Sequence, residues 1–255
     1  RKVSRAHIVC GGVHPTISPE DCIGFSDSVC IGEGEFPLLD LARAIDKGEP
    51  VDHIQNLWIR KGKDVIKNKL RLLICNLDDL PYDRLFDLET AVIDEGNFHF
   101  EDPLLTGAMY RVYASRGCPF KCAYCYNNQF RKIYEGLGPY RRTRSVKNVI
   151  REIEAAHDAM PDLHRVRFDD DTFVFPSKWI HEFSNEYPRR IGLPFDILLN
   201  PEAFKEGDLI HLREAGLIHV QVGIQSASKK ELEDAYQRRG SNAEILALAR
   251  KLRYL

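Results

Sequence analysis

The chain has 255 residues, a formal net charge of −2, a hydrophobic fraction of 44% and a charged fraction of 29%. These values are typical of a folded globular protein, and the net charge gives no indication of nucleic-acid or membrane-surface binding. No apolar run approaches the roughly 18 residues that a membrane-spanning helix needs. The basic residues 1–5 lead into an apolar stretch too short for a signal peptide, so we expect a cytoplasmic protein.

The first 50 residues predict the end of a layered α/β domain. Short strands are expected at residues 8–10 and 28–31, and each runs into a glycine-containing turn. Residues 36–45 have apolar side chains at helical spacing (Leu38, Leu39, Leu41, Ala42 and Ile45). This strand–turn–helix alternation is typical of the last part of a doubly wound sheet.

Residues 51–105 differ in character from both flanking segments. Two strands, at 56–60 and 64–69, surround a lysine-glycine-lysine turn and predict a hairpin. Residues 77–88 contain a proline and four aspartates and are expected to be a linker. Residues 95–103 show little periodicity, so we expect irregular structure there.

From residue 106 to 255 strands and helices alternate again. The predicted strands are residues 110–115, 163–168, 195–199 and 219–224, and the predicted helices are residues 145–160, 177–187, 208–215, 229–236 and 243–252. Such alternation indicates parallel βαβ units. Polar residues at the carboxyl ends of these strands are expected to form a catalytic rim.

Three of the seven cysteines, Cys118, Cys122 and Cys125, form a C-x3-C-x2-C loop directly after the strand predicted at residues 110–115. The other four are scattered beside apolar residues, which predicts small buried side chains (Cys10, Cys22, Cys30 and Cys75). Three thiolates on one tight loop can converge on three corners of an iron–sulfur cube and leave the fourth iron open.

Two other uses of these cysteines are less compatible with the sequence. A structural zinc site needs a fourth ligand, and neither His99 nor His164 lies at zinc-finger spacing. Disulfide pairing would leave an odd cysteine in a chain without an export signal. The loop therefore favours an iron–sulfur cluster.

The C-x3-C-x-aromatic-C pattern, with Tyr124 at the aromatic position, resembles the signature of the radical S-adenosylmethionine superfamily. The resemblance implies a [4Fe-4S] cluster held by the three cysteines, with S-adenosylmethionine chelating the open iron. It implies cleavage of that cofactor to methionine and a 5′-deoxyadenosyl radical, which abstracts hydrogen from a substrate. It also implies that Tyr124 lies against the adenine, a position compatible with a tyrosine that packs under its own loop.

By the same resemblance, residues at three strand ends bind S-adenosylmethionine. Asp169 and Asp170 follow the second strand, where family members bind the amino group, although carboxylates here could equally be solvated turn residues. Asn200 is a candidate for the polar parts of the cofactor or a turn residue. Gln225 and Ser226 follow Gly-Ile, as in the family motif near the ribose.

Two glycine motifs near the start, Gly11-Gly12 before Val13-His14-Pro15 and the Gly-Glu-Gly-Glu of residues 32–35, resemble the end of a cobalamin-binding domain that precedes the radical module in one subfamily. There the glycine pair approaches the nucleotide tail of cobalamin, whereas the alternative is a tight turn. The subfamily's Asp-x-His-x-x-Gly motif does not occur, and only four of six barrel strands are predicted. We therefore expect a fragment of a longer protein, and the sequence leaves open whether that full-length protein binds cobalamin.

The expected fold is α/β: a partial (β/α) radical S-adenosylmethionine barrel preceded by the C-terminal part of a Rossmann-like cobalamin-binding domain. The expected domains are residues 1–50 for the cobalamin-binding part, 51–105 for the hairpin and linker, and 106–255 for the truncated barrel.

The expected function is radical chemistry that methylates or rearranges a small-molecule or lipid-like substrate, with flavodoxin or ferredoxin as electron donor. An iron–sulfur electron-transfer protein and a zinc-stabilised binding module are the alternatives. The first normally supplies a fourth cysteine ligand, and no other cysteine lies near the loop.

Overall fold

The structure is a computed structural model that describes residues 6–82, 91–100, 109–203 and 205–254. Helices and strands are numbered below in chain order. The chain divides into two compact units, each of which is described by itself. Unit 1 comprises residues 1–75 and 120–140, and unit 2 comprises residues 76–119 and 141–255.

Unit 1 contains a four-stranded sheet of order β1-β2-β3-β4. Its strands are β1 (Val9–Cys10), β2 (Ser28–Cys30), β3 (Leu57–Lys61) and β4 (Asp64–Lys67), and its helices are α1 (Val13–Ile17), α2 (Pro19–Ile23), α3 (Glu35–Lys47) and α4 (Tyr126–Ile133). β1 and β2 are parallel, whereas β3 pairs antiparallel with both β2 and β4. The predicted hairpin is therefore confirmed, and it continues the sheet that begins with β1 and β2.

Helix α3 confirms the predicted helix but buries a different face. Leu41 is buried as expected, and it is joined by Pro37 and Ala44, whereas Leu38 and Leu39 are each 43% exposed. The helix ends at Gly48, whose φ of +67° suits the left-handed cap that glycine adopts without strain. Periodicity placed the helix, but the choice of buried face depended on packing against β2 and β3.

Unit 2 is built on a parallel four-stranded sheet of order β12-β11-β10-β7. These strands are β7 (Met109–Val112), β10 (Arg165–Phe168), β11 (Phe195–Leu199) and β12 (Leu217–Val222). β11 matches its predicted bounds, β10 begins two residues later than predicted, and β12 begins and ends two residues earlier; β7 begins one residue earlier and ends three residues earlier. β12 is at one edge of this sheet, as expected for the last strand of a partial barrel.

Smaller elements complete unit 2. Two short hairpins are formed by β5 (Val92–Asp94) with β6 (Asn97–His99) and by β8 (Ser115–Arg116) with β9 (Arg142–Thr143). Five helices follow strands or turns: α5 (Val146–Ala159), α6 (Ser177–Arg190), α7 (Glu206–Glu214), α8 (Lys229–Asp234) and α9 (Asn242–Tyr254). Short 3-10 turns occupy Leu77–Asp79 and Pro201–Ala203.

The core of unit 2 lies between its sheet and helices α5 and α6. The hydroxyl of Ser145 accepts from the backbone N–H of Asn148 at 3.1 Å and caps α5 as predicted. The predicted apolar face of α5 is fully buried (Val149, Ile150, Ile153 and Ala156). From α6, Phe183 packs edge-to-face against Phe168 of β10 and Phe195 of β11, so aromatic contacts join the helix to the centre of the sheet.

Some local structure was not predicted. Residues 97–99 form a strand within the segment expected to be irregular, because the Glu95-Gly96 turn closes a hairpin. Helices α1, α2 and α4 are short or polar, and their apolar periodicity is weak. The parts of the predicted linker and irregular segment at 83–90 and 101–103 lie outside the described residues. Across the described part of the chain, no helix is long and apolar enough to cross a membrane.

Candidate functional site

Cys118 belongs to unit 2 and follows the short strand β8. Gly117, between β8 and the cysteine, has a φ of +81°, a conformation in which a side chain would be strained. The chain therefore turns sharply at the end of β8. Cys118 itself is only 9% exposed.

Cys122 and Cys125 belong to unit 1 and share a turn at the start of α4. The backbone N–H of Cys125 donates to the carbonyl of Cys122 at 3.1 Å, and Cys125 is the N-cap residue of the helix. The Nδ2 of Asn127 donates to the Cys125 sulfur at 3.7 Å, while the Oδ1 of Asn127 accepts from the hydroxyl of Tyr140. Asn127 is thus a buried polar residue that supports one thiol of the loop.

The convergence of the three thiols on one cluster stays a prediction, because Cys118 belongs to unit 2 and Cys122 and Cys125 belong to unit 1. Among the residues described, no three His, Cys, Asp or Glu side chains form a group that could hold a metal ion. Thiols attract one another little, and it is the bonds to iron that draw sulfur ligands to the corners of a cluster. The donor set itself fits a cluster, since three cysteines lie on one short loop and the Asn127 amide donates toward one sulfur.

Asp169 and Asp170 follow β10, and their carboxylates are already engaged by neighbouring groups. Asp169 forms ion pairs with Arg111 and with Arg167. Asp170 is 2% exposed, and its two oxygens accept from the Ala114 N–H at 3.2 Å and from the Ser115 hydroxyl. Burial raises the pKa of Asp170 to about 6, against the lowering effect of these hydrogen bonds. Asp170 therefore ties the end of β10 to the segment that leads into the cysteine loop.

Asn200 follows β11 and is joined to an arginine from beyond α8. Its Oδ1 accepts from Nη2 of Arg238 at 2.8 Å and from the Glu202 N–H at 3.0 Å. Arg238 is 7% exposed and also donates to the Gly223 carbonyl at 3.0 Å. One guanidinium thus fixes the ends of both β11 and β12. It also lines a cavity of about 420 Å³ beside Ile224.

Gln225 and Ser226 form the turn after β12. Gln225 is exposed and has a φ of +63°, which is uncommon for a residue with a side chain. The Ser226 hydroxyl lies 2.6 Å from a carboxylate oxygen of Glu231, to which it donates, and accepts from the Ser228 N–H at 3.0 Å. The two residues therefore differ: the Ser226 hydroxyl stabilises the turn, whereas Gln225 is exposed and its amide group lies beside Gly223.

The remaining candidates lie in unit 1. Tyr124 is 51% exposed on the cysteine loop. Gly12 has a φ of +106° and is the N-cap of α1, so a tight turn alone accounts for glycine at this position. A Cβ on Gly11 would meet only the Cys30 side chain, at an ordinary contact distance of 3.6 Å.

The second glycine motif contacts the segment that follows α4, within unit 1. Gly32 has a φ of +78°, and the Tyr134 hydroxyl occupies the position where a Cβ would lie. That hydroxyl accepts from the Glu33 N–H at 2.7 Å, and the Glu33 carboxylate accepts from the Ile74 N–H at 2.9 Å. Glycine is required here by close approach of a protein side chain.

Four residues that support the candidate site were not predicted: Asn127, Tyr140, Arg141 and Arg238. Their partners are distant in sequence or lie on a neighbouring turn. The one available signal was the run of three arginines at residues 141, 142 and 144, which closely follows the cysteine loop.

Comparison with known families and proteins identifies relatives of the chain. The family described as the radical SAM superfamily matches residues 112–254. An uncharacterised methyltransferase of Pyrococcus horikoshii is 30% identical over 237 residues, which are 89% of this chain and 47% of the relative. The anaerobic magnesium-protoporphyrin IX monomethyl ester cyclase of Cereibacter sphaeroides is 26% identical over 98% of this chain and 40% of its own length.

Among solved structures, the fold resembles that of TsrM from Kitasatospora setae, a radical S-adenosylmethionine methyltransferase. The structure of TsrM with cobalamin and a [4Fe-4S] cluster has a TM-score of 0.70 at 16% identity, and it matches 100% of this chain and 49% of TsrM. A second TsrM structure, with tryptophan substrate and an analogue of S-adenosylmethionine, has a TM-score of 0.74 at 17% identity. The chain thus spans about half the length of these relatives, and the likeness to TsrM concerns the fold.

Proposed function

The chain belongs to the radical S-adenosylmethionine superfamily, and we propose that Cys118, Cys122 and Cys125 hold a [4Fe-4S] cluster whose fourth iron binds S-adenosylmethionine. The observation that carries this proposal is the C-x3-C-x2-C loop, which lies inside the matched region and directly follows β8. When bound, the cluster supplies the electron that cleaves the cofactor to a 5′-deoxyadenosyl radical.

The protein residues around the cluster divide into ligand-binding and supporting groups. We assign Tyr124 to the adenine and Gln225 to the ribose, because both residues lie outside helices and strands and are exposed. Asn200 is oriented by Arg238, which leaves its amide nitrogen as the group that can donate to a ligand. Asp169, Asp170 and Ser226 hold the rim together through their bonds to neighbouring residues.

The overall reaction that we propose is methyl transfer to a small-molecule or lipid-like substrate in the cytoplasm, with an electron donor such as flavodoxin or ferredoxin. The relative from Pyrococcus horikoshii and TsrM are both methyltransferases, which supports this choice. The similarity to a cyclase makes ring formation a second candidate. We also propose a cobalamin site, with Gly11-Gly12 lining one of its walls.

The proposal is tested by electron paramagnetic resonance of the anaerobically reconstituted and reduced chain. Adding S-adenosylmethionine should change the spectrum of the cluster, because the cofactor occupies the open iron. Gln225→Ala should require a higher cofactor concentration for the same change. Gln237→Ala is a matched control, since Gln237 is also exposed and also has a positive φ, of +51°. If the spectrum of the unmutated chain does not change when S-adenosylmethionine is added, the chain would instead be an electron-transfer protein.

A further inference from the structure

Arg141 lies beside Cys118 because of the pairing between β8 and β9. In this antiparallel hairpin Ser115 is opposite Thr143, and Arg116 is opposite Arg142. One further step in the same register places Arg141 opposite Gly117, the residue before Cys118. The arginine therefore enters unit 2 at the base of the cysteine loop.

The two terminal nitrogens of the Arg141 guanidinium are shielded from solvent. The guanidinium carbon of Arg141 lies 5.8 Å from the centre of the Phe175 ring. Both terminal nitrogens, Nη1 and Nη2, have no acceptor among the residues that the structure describes. Buried polar groups are nearly always paired, and an unpaired buried charge is costly, so these donors point to an acceptor that binds there.

The groups that act on this guanidinium are anionic or become anionic on metal binding. Burial lowers the pKa of Arg141, and Asp170, Cys118 and Asp171 oppose this lowering by favouring the charged arginine. The oxygens of Asp170 accept from Ala114 and Ser115. Arg141 is therefore within electrostatic range of Asp170 and of Cys118, the residue that would carry a thiolate in a cluster.

We propose that Arg141 is a positioning residue for the cluster: its guanidinium faces the Cys118 corner, offsets negative charge there and raises the reduction potential. This inference rests on the proposed cluster. One-electron reduction adds a negative charge to the cluster, and a nearby positive charge in a dry site stabilises the reduced form more than the oxidised form.

The test is a redox titration of the reconstituted chain with a chemical reductant, followed by electron paramagnetic resonance. Four proteins are compared: the unmutated chain, Arg141→Gln, Arg141→Lys and, as a control, Arg190→Gln. Arg190 pairs with Glu154 on the surface of α6 and α5. Iron and sulfide are counted first, so a chain that binds no cluster refutes the proposed function before Arg141 is tested.

Arg141→Gln should shift the midpoint potential to more negative values, Arg141→Lys should retain most of the original potential, and Arg190→Gln should leave it unchanged. If Arg141→Gln loses the cluster while Arg141→Lys keeps it, the result would also support the proposal, because it would show that the cluster needs a positive charge at this position. A full cluster with an unchanged potential in Arg141→Gln would overturn the proposal. Two other results would overturn the proposal. The first is loss of the cluster from both Arg141 variants while circular dichroism shows an intact fold. The second is an Arg141→Gln variant in which only the affinity for S-adenosylmethionine changes.

Discussion

Replacing Asp170 with asparagine should change how the stability of the chain depends on pH. The carboxyl of Asp170 is buried, and its pKa is raised from 3.8 to about 6. In the unfolded chain the pKa returns to its ordinary value, so the folded state binds the proton more tightly. The contribution of this group to stability is therefore greatest below pH 3.8 and is lost as the pH rises through 6.

The size of the effect follows from the shift. Each pKa unit corresponds to about 1.4 kcal/mol, so the whole shift of Asp170 corresponds to about 3 kcal/mol, of which about 2.4 kcal/mol is lost by the folded state between pH 4 and pH 7. An asparagine side chain keeps an acceptor for the Ala114 N–H and an amide that can donate to the Ser115 hydroxyl, but it does not ionise. Its stability relative to the unmutated chain should rise by about that amount across the same range.

The assay is urea unfolding of both proteins without metal, at several pH values from 4 to 7.5. Taking the difference between the two proteins cancels the titration of all other groups. Asp158→Asn, which changes an exposed carboxyl on α5, is the control. A difference between Asp170→Asn and the unmutated chain that stays constant with pH would refute the interpretation of Asp170 as a desolvated carboxyl.

Two further predictions concern packing. Gly32→Ala should destabilise the chain by about 2–4 kcal/mol in thermal unfolding, because the new methyl group meets Tyr134 and the backbone is left-handed. Gly62→Ala is the control: the space around Gly62 is open, so this variant should lose only about 1 kcal/mol of stability. Equal losses in the two variants would contradict the close contact between Gly32 and Tyr134. Tyr187→Phe should stabilise the chain by about 1 kcal/mol, because the Tyr187 hydroxyl is buried without a partner among the described residues. Tyr110→Phe removes a 2.7 Å hydrogen bond to Glu152 and should instead destabilise the chain by about 1 kcal/mol. If both variants changed the free energy of unfolding in the same direction, the distinction between a paired and an unpaired buried hydroxyl would be wrong.

Features that depend on local sequence were predicted well. The strands β7, β10 and β11 and the cap of α5 follow from apolar patterns and a serine at one position, and the cysteine loop follows from its spacing. Each of these signals lies within a window of about fifteen residues.

Features that depend on long-range contacts were not predicted. The bond between Arg238 and Asn200 joins residues 38 apart, and the position of Arg141 depends on the pairing of β8 with β9. The same limit explains α3, whose buried face is chosen by the sheet it packs against. The Asp169 and Asp170 carboxylates were recognised as rim residues, but sequence could not show that arginines and backbone groups already engage them.

The central claim is that three cysteines hold one iron–sulfur cluster, and metal analysis after anaerobic reconstitution with iron and sulfide tests it most directly. The account predicts about four irons and four sulfides per chain, with loss of the cluster in Cys118→Ser, Cys122→Ser and Cys125→Ser. Cys75→Ser is the control, because Cys75 is exposed and lies outside the loop. Zinc at about one ion per chain, or an iron content that survives removal of a loop cysteine, would contradict the assignment.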